Sequence, residues 1–411
     1  MTDHANQPSI RENQLQGDPM TTPKNNSHTR IHFQNVGGVN LTTHGTWTTV
    51  CHQWLHMQVD IALACEHQLD TTKPKVNKLL RAQAALYFGS HGFRLEPIST
   101  PVPSHTDRKA GGVLSTLLGN ISGRHLEAGN DTLGRWTFTK LRTSSADHPI
   151  TVITTYQVCA VNPRTAGPTT YSQQLYAQYQ LEGRDTPENL RKHHSNDLGH
   201  FVKECQAKGE RIIVAGDFNE TLGDTTHGMT RLCSECHLVD PFITKHHLTG
   251  FATHNRGSDV IDYILVDAFI LPSIVKCGYE AFSEHIQSDH RGVYIDFHTS
   301  SLFGDTVPPI DNHTLRDMST KRINQIPSYF QHKDKHLQDH NWYQKIQILQ
   351  DHIQSYTPND ALAEQLYCRL IEACSYAGNN LSKYPSAPFS PEIAVLRHTL
   401  DYLRLAKSWQ D

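Results

Sequence analysis

The sequence lacks the features that would place the chain in a membrane or outside the cell. Its 411 residues contain no uninterrupted apolar stretch near the length of a membrane span, and residues 1–30 lack the apolar centre of a signal peptide. The nine cysteines are an odd number without a disulfide framework, which predicts reduced thiols. We therefore expect an intracellular protein with no membrane-spanning segment.

The chain also lacks a strong excess of either charge. Its formal net charge is −4 at pH 7, from 37 basic and 41 acidic residues. This balance argues against a basic protein that coats nucleic acid, but it is compatible with an enzyme in which a divalent metal ion supplies local positive charge. With 37% hydrophobic residues, the chain can build a sizeable core, and its length suits one large domain with a smaller one.

The hydrophobic pattern divides the chain into three regions. Residues 1–29 are polar and aperiodic, which predicts a disordered segment. Residues 30–299 alternate strand-like and helix-like stretches, which predicts an α/β sandwich with two central sheets flanked by helices. Residues 300–411 begin as a linker, and their periodicity then predicts a helical tail with helices over 315–330, 342–354, 360–377 and 391–408.

The most informative segment is Gly216-Asp217-Phe218-Asn219-Glu220, which follows the apolar run 211–215. Side chains two apart on a strand point to the same face, so Asp217 and Asn219 are expected to form a polar pair at a strand end. Such a pair suits the handling of phosphate or of a metal with oxygen ligands. Taken alone, residues of this kind more often cap a turn than catalyse a reaction.

Further polar residues lie at the ends of other strand-like segments, namely Asn35, Glu66, Tyr156, Asp262 and the pair Asp289-His290. In a sheet built from these strands they can converge at one edge. Glu66 and Asp289 offer the hard oxygen ligands that suit Mg²⁺. Asp217 could orient or deprotonate a water, and His290 could bind a phosphate oxygen or act as a base, with Asp262 fixing its tautomer.

Seven segments occur in an order that resembles the endonuclease/exonuclease/phosphatase superfamily, whose members include exonuclease III, apurinic endonucleases, DNase I and inositol phosphatases. They cover about residues 30–297 and are Gln34-Asn35-Val36, Cys65-Glu66-His67, Gly111-Gly112-Val113, Thr155-Tyr156, Gly216-Asp217-Phe218-Asn219, Ile261-Asp262-Tyr263-Ile264 and Ser288-Asp289-His290. Seven ordered segments are far more specific than one. Gly134-Arg135-Trp136 and Tyr156-Gln157-Val158-Cys159 further resemble the endonuclease domain of non-LTR (LINE-type) retrotransposons.

The resemblance implies a four-layer α/β/β/α sandwich and a Mg²⁺-dependent phosphodiesterase that nicks DNA and leaves 3′-hydroxyl ends, with Mn²⁺ as an alternative ion. Glu66 would be the principal metal ligand, assisted by Asn35 and Asp289. The implied partner is DNA and the implied location is the nucleus. The helical tail resembles the segment that joins such an endonuclease to a reverse transcriptase, a domain that is absent from this chain, so a truncated element product is expected.

The resemblance also implies the roles of the catalytic residues. Asp217 would position the nucleophilic water or protonate the leaving group, and Asp262 with His290 would form a dyad. Asn219 and Tyr156 would contact phosphate. One departure is Gly37, because the family often has an acidic residue after the Asn-Val pair, and its absence reduces the choice of metal ligands.

Two other functions stay open at the level of sequence. One is the same chemistry on a phosphoinositide or another small phosphoester, and the other is an inactive remnant of a mobile element. His193 and His194 are expected on the solvated surface. A DNA-facing rim and ordinary solvated charge are the two interpretations of the cationic residues Arg108, Lys109, Arg124, Arg135 and Lys140.

Overall fold

The computed structural model describes residues 13–42, 45–89, 92–102, 104–145, 148–159, 169–182, 189–224, 228–304, 325–354 and 360–381. The strands are β1 (Gln16–Gly17), β2 (His28–Asn35), β3 (Ile61–Cys65), β4 (Phe93–Ile98), β5 (Val113–Leu118), β6 (His125–Asn130), β7 (Trp136–Leu141), β8 (Ile150–Tyr156), β9 (Arg211–Asp217), β10 (Leu238–Val239), β11 (Asp262–Asp267), β12 (Ile274–Tyr279) and β13 (Val293–His298). The helices are α1 (Thr46–His56), α2 (Pro74–Phe88), α3 (Thr170–Glu182), α4 (Leu190–Ala207), α5 (Met229–Glu235), α6 (Pro241–His246), α7 (Thr299–Phe303), α8 (Ile326–Asp339), α9 (Trp342–Gln354) and α10 (Asp360–Asn380).

The strands form two sheets that pack face to face. One sheet has seven strands in the order β1-β12-β13-β2-β3-β5-β4, and the other has six in the order β10-β11-β9-β8-β7-β6. The pairs β2/β3 and β8/β9 are parallel, and the remaining neighbours are antiparallel. The innermost core is made by apolar side chains from both sheets, such as Phe33 and Leu63 from one and Val152 and Ile213 from the other.

Helices cover the outer face of each sheet, as the α/β/β/α architecture requires. Along β3, Ile61 and Leu63 point to the inner core, whereas Ala62 and Ala64 face a second core that includes residues of α1 and α2. This division follows from the period-two alternation of a strand, and the small alanines let the helices approach closely. A third core joins β8, β9 and β11 to α4 and α5. The predicted four-layer sandwich is therefore confirmed.

Residues 13–29 do not follow the prediction of disorder. β1 pairs with β12, with Gln16 opposite Tyr279. The carboxylate of Asp18 then accepts a hydrogen bond from Lys245 Nζ at 2.7 Å. The prediction was wrong here because a two-residue edge strand is held by backbone hydrogen bonds, which leave no hydrophobic pattern in the sequence. The first twelve residues lie outside the described part of the chain.

The chain divides into two compact units, Met1–Asn312 and His313–Asp411. In the second unit, α9 begins and ends where the pattern predicts, and α10 begins at the predicted Asp360. The indole of Trp342 donates a hydrogen bond to the carbonyl of Leu366 at 2.9 Å, which ties α9 to α10. The predicted helix over 391–408 lies outside the described residues. Among the described helices, none combines the length and the apolarity that crossing a membrane requires.

Candidate active site

The sequence-predicted polar residues meet at one edge of the sandwich because the strands that carry them end there. In the seven-stranded sheet, the last residue of β2, Asn35, lies beside Cys65 at the end of β3, and Glu66 follows. In the six-stranded sheet, Tyr156 at the end of β8 lies beside Asp217 at the end of β9. Parallel pairing thus brings the carboxyl ends of both strand pairs to the same side.

Hydrogen bonds connect the two sheets at this edge. Asn35 Nδ2 donates to Asp217 Oδ2 at 2.9 Å and lies 3.4 Å from His290 Nε2. The second oxygen of Asp217 accepts from the backbone N–H of Asn219 at 3.0 Å. Asn35 and Asp217 are both buried. Because both carboxylate oxygens have donors, the orientation of Asp217 is fixed.

Asp262 and His290 form the predicted dyad geometry. β11 begins with Asp262 directly opposite Asp217, and Asp262 Oδ2 lies 2.9 Å from His290 Nδ1. Within the described residues, Asp262 Oδ1 is buried without a hydrogen-bond partner. Asn35, Asp217, Asp262 and His290 are called the edge cluster below. A hydrogen bond through Nδ1 turns the other ring nitrogen of His290, Nε2, towards Asp217, at 3.9 Å.

The edge cluster contains two carboxylates and one imidazole, and this imbalance shifts their proton affinities. Burial alone would lower the pKa of His290, but the charge and hydrogen bond of Asp262, with the charge of Asp217, raise it to about 10. His290 is therefore a cation at neutral pH. Burial, with the nearby charge of Asp262, raises the pKa of Asp217 well above its usual range.

Glu66 stands at the open side of this edge, half-buried beside Tyr156. Its backbone is left-handed, with φ of 54°, and its N–H donates to the carbonyl of Gly112 at 2.7 Å. The Tyr156 side chain hydrogen-bonds to Glu66, and burial with the charges of Glu66 and Asp217 raises the pKa of Tyr156. Tyr156 is thus a protonated donor next to a carboxylate that keeps access to solvent.

The three predicted metal ligands make no hydrogen bond or ion pair with one another among the described residues. Asn35 is bonded to Asp217, whereas Asp289 lies beside His254, with Oδ2 3.5 Å from His254 Nε2. Among the described residues, Glu66 belongs to no group of three His, Cys, Asp or Glu ligand atoms that lie within 4.8 Å of one another. Gly37 approaches Asp289, because a Cβ at Gly37 would lie 3.5 Å from Asp289 Oδ1.

The surroundings of Glu66 nevertheless fit a divalent cation of the Mg²⁺ type. Such an ion takes one or two carboxylates and keeps several waters, rather than requiring a complete protein cage. Glu66 offers a carboxylate with solvent access, and the Asn35 end of β2 lies next to it in the sheet. The donors are hard oxygen atoms, which match such an ion.

Asn219 lies beyond the end of β9, and not on the strand as expected. β9 ends at Asp217, and Asn219 has a left-handed backbone with φ of 49°. Its Nδ2 donates to the carbonyl of Gln157 at 2.7 Å, and its Oδ1 accepts from the thiol of Cys159 at 3.0 Å. The expectation that Asp217 and Asn219 form one strand face was wrong, because the chain turns immediately after Asp217.

The surface position expected for His194 was also wrong. It is buried, with Nε2 2.8 Å from Thr155 Oγ1 and Nδ1 3.0 Å from Gln157 Oε1. Burial lowers the pKa of His194 well below its usual value, so it is neutral. His194 thereby holds the residues on both sides of Tyr156. A histidine pair in a polar stretch of a helix gives no sequence signal for this role.

Two further residues support the dyad. Ser288 Oγ donates to the carbonyl of Asn35 at 2.6 Å and accepts from the N–H of His290 at 3.1 Å. Thr253 Oγ1 accepts from the N–H of Asp262 at 3.3 Å. Ser288 stands in the motif with Asp289-His290 and could have been found there, whereas Thr253 has no comparable sequence signal.

The predicted cationic rim does not form from the residues expected for it. Lys109 is buried and lies 2.7 Å from Asp70, and Arg124 and Arg135 are buried as well. Lys140 pairs with glutamates at 2.9 and 3.0 Å. Neither a DNA-facing rim nor ordinary solvated charge describes these four side chains, because their partners are acidic residues or lie within the fold. Arg108, the fifth, is exposed and donates to Gln68 Oε1 at 2.8 Å.

Comparison with solved structures finds similarity to several nucleases. The chain is similar to an AP endonuclease from Leishmania major, with 14% identity, 69% of this chain and 93% of that chain covered, and a TM-score of 0.46. It is similar to a 3′-5′ exonuclease from Neisseria meningitidis, with 16% identity, coverage of 66% and 99%, and a TM-score of 0.44. It is also similar to the endonuclease domain of TRAS1, a telomere-specific non-LTR retrotransposon, with 14% identity, coverage of 66% and 99%, and a TM-score of 0.39.

With identities of 14% to 16% and TM-scores below 0.5, these likenesses carry no argument about the family or the activity of this chain. No family model and no curated protein matches the sequence.

Proposed function

We propose that the chain is a Mg²⁺-dependent phosphodiester hydrolase that nicks DNA and derives from a non-LTR retrotransposon. The observation that carries the proposal is the edge cluster, in which His290 lies between two buried carboxylates and is hydrogen-bonded to Asp262. A buried imidazolium that faces an open site suits an anionic substrate. The identity of DNA as that substrate and the retrotransposon origin rest on the resemblance of the motifs.

The residues of the edge cluster have complementary tasks in such a reaction. His290 donates from Nε2 to a non-bridging phosphate oxygen, and Asp262 holds the ring in the required orientation. Because the pKa of His290 is raised to about 10, it acts as a donor to the phosphate rather than as a base. Asp217 has a raised pKa, which suits a group that holds a proton and gives it to the leaving oxygen, one of the two roles that the resemblance implies.

The open side of the site complements this cluster. A divalent cation, when bound, supplies positive charge to the phosphate oxygens and lowers the pKa of a bound water. Glu66 would hold it, with Asn35 and Asp289 nearby as the resemblance implies. Tyr156 is a protonated donor beside Glu66 and is suited to a phosphate oxygen.

The test is nicking of supercoiled plasmid in the presence of Mg²⁺, with EDTA as the first comparison. We expect nicked circles with Mg²⁺ or Mn²⁺ and none with EDTA. His290→Ala should abolish nicking, since it removes the phosphate donor. His200→Ala is the matched control, because His200 is exposed on α4 and should leave the rate unchanged.

The contrary outcome is equally well defined. If the native chain is folded and does not nick DNA, small phosphoesters and phosphoinositides are the next substrates to assay with the same pair of variants. Activity on these would retain the phosphodiesterase chemistry and reject DNA. Inactivity on all of them would favour an inert element remnant.

A further inference from the structure

A second group of side chains with metal-binding atoms lies beside the edge cluster. It shares His290 with that cluster and Asp289 with the predicted Mg²⁺ ligands, and its third member, His254, has no part in the proposed reaction. His254 Nε2 is 3.5 Å from Asp289 Oδ2. The rings of His254 and His290 have their centroids 4.8 Å apart. Ligand atoms of His254, Asp289 and His290 all lie within 4.8 Å of one another. Each of the three side chains can therefore offer one ligand atom to the same ion.

The backbone holds this group together from two loops. His254 and His290 form an antiparallel bridge between the loop before β11 and the loop before β13. The N–H of Asn255 donates to the carbonyl of Asp289, and the N–H of Arg291 donates to the carbonyl of Thr253, both at 2.8 Å. Hydrogen bonds on both sides of the two histidines fix the separation of their side chains.

The donor set selects a different kind of ion from the one that suits Glu66. Two imidazole nitrogens and one carboxylate oxygen match Zn²⁺ and related transition-metal ions, whereas Mg²⁺ prefers oxygen ligands throughout. In a tetrahedral site with bonds of about 2.0–2.1 Å, ligand atoms are roughly 3.4 Å apart. The separation of 3.5 Å between His254 Nε2 and Asp289 Oδ2 is close to that value.

A second, independent observation is the state of His290. Histidines that bind metal through one nitrogen usually bond through the other to a carboxylate, which fixes the ring. His290 has this arrangement, because Nδ1 lies 2.9 Å from Asp262 Oδ2. Its other ring nitrogen, Nε2, has no such carboxylate bond and lies 3.4 Å from Asn35 Nδ2 and 3.9 Å from Asp217 Oδ2. The side chains of His254 and Asp289 are 27% and 39% exposed, so an ion from solvent can reach them.

We propose that His254, Asp289 and His290 form a binding site for a transition-metal ion of the Zn²⁺ class, and that its occupation inhibits the enzyme. An ion held by these three side chains occupies the His290 nitrogen that the proposed reaction needs, so that nitrogen no longer reaches a phosphate oxygen. The inhibition rests on the proposed function, whereas the binding does not. High Mg²⁺ does not relieve the inhibition, because the nitrogen ligands favour the transition metal.

The test of binding is titration of the full chain with Co²⁺, followed by the visible absorption of the bound ion. With 28 histidines the chain offers background sites, so the informative quantity is the difference between the native chain and a variant. His254→Phe keeps a ring against His290 and removes the nitrogen, and His200→Phe is the matched control on an exposed helix face. His254→Gln provides a second variant if the Phe substitution impairs folding.

We expect the native chain and His200→Phe to show one strong Co²⁺ site that Zn²⁺ displaces. His254→Phe should bind at least about 100-fold more weakly, since changes in the outer shell of a metal site already cost about 10- to 100-fold. Equal Co²⁺ spectra and affinities for the native chain and both His254 variants would overturn the proposal.

The test of inhibition is nicking with Mg²⁺ in excess and increasing Zn²⁺. The Zn²⁺ concentration that halves each protein's own rate should be much higher for His254→Phe than for His200→Phe. Equal values would overturn the inhibitory role. Co²⁺ binding that depends on His254, in a chain that never nicks DNA, would support the metal site and contradict the proposed function, so the two failures are distinguishable.

Discussion

Two buried charge clusters of this protein differ in how completely their charges are compensated. Beside β7 and α4, Arg135 donates to both oxygens of Asp131, at 2.6 and 3.1 Å, and to Asp197 at 2.7 Å. Its remaining nitrogen lies 2.9 Å from His193, and its guanidinium lies 4.8 Å from the ring of Trp136. This arginine cluster satisfies its cation on every side.

The edge cluster is the opposite case. Two carboxylates, Asp217 and Asp262, share a single imidazolium, and Asp262 Oδ1 is buried without a hydrogen-bond partner in the described part of the chain. Burial of a charge without full compensation reduces stability. The arginine cluster therefore stabilises the fold, whereas the edge cluster has a carboxylate oxygen without a partner and is suited to binding a ligand.

The largest effect that we expect is a loss of nicking activity in the Asp262→Asn variant. Loss of the carboxylate removes the orientation of His290 and lowers its pKa, so nicking should slow by about 10²- to 10⁴-fold. The free energy of unfolding should fall by less than in the arginine cluster, because His290 can lose its proton and leave no unpaired buried charge. Plasmid nicking and urea denaturation of the same preparation measure both. A loss of stability that parallels the loss of activity would place Asp262 with the structural ion pairs instead.

The arginine cluster should respond in the reverse manner. Arg135→Met leaves Asp131 buried without its cation, and we expect a loss of about 3–5 kcal/mol in the free energy of unfolding. The nicking rate of the molecules that remain folded should be nearly native. The control is Arg231→Met, which breaks exposed contacts with Glu235 and Asn196 and should cost about 0–1 kcal/mol. Similar losses in both variants would contradict the comparison.

Asp240 is a buried carboxylate for which the described residues supply no ion-pair partner, and its effect on stability should depend on pH. Burial raises the pKa of Asp240 from 3.8 to about 6, although Asp240 accepts from the N–H of Phe242 at 2.7 Å. A raised pKa stabilises the fold at low pH, and this contribution, about 3 kcal/mol, is lost as the pH rises from about 4 through 6.

Asp240→Asn keeps the helix cap and removes the titration. Urea denaturation at several pH values should show the native chain losing stability relative to the variant between pH 4 and 6. Parallel pH profiles would mean that Asp240 is charged in the folded chain at low pH already.

The smallest effect is expected for Ser288→Ala. This change removes one hydrogen bond to Asn35 and one to His290, so the ring keeps its place but loses some rigidity. A loss of about 1 kcal/mol corresponds to a nicking rate lower by roughly 5- to 10-fold. The rate of Ser288→Ala is measured beside Ser301→Ala, a control at an exposed position of α7. A fall as large as that of Asp262→Asn would show that Ser288 contacts substrate.

The sequence alone predicted most of the layered fold, because burial on both faces of β3 and β9 and periodicity in α9 are local signals. The strand predicted over 211–215 ends two residues earlier than β9, since Gly216 and Asp217 continue the strand without adding hydrophobicity. β1 could not be predicted, because its pairing with β12 joins positions that are distant along the chain.

The sequence predicted which residues meet in the edge cluster. It did not predict the hydrogen-bond partners of Asn219 or the ion pairs of Lys109 and Arg135. Asn35, Asp217, Asp262 and His290 come together because each stands at a strand end. The left-handed turn at Asn219 was not predictable from period two. The partners of Lys109 and Arg135 were not predictable either, because an ion pair depends on tertiary distance and not on residue type.

The pairing of β1 with β12 bears on where the chain can be shortened. Without residues 13–29, β12 would become an outer strand of the seven-stranded sheet, with a row of unsatisfied backbone N–H and C=O groups. Lys245 would lose its partner Asp18 at the same time. We therefore expect a chain trimmed to begin at β2 to associate with copies of itself more readily than the full chain, because two more residues of β12 would lack backbone partners.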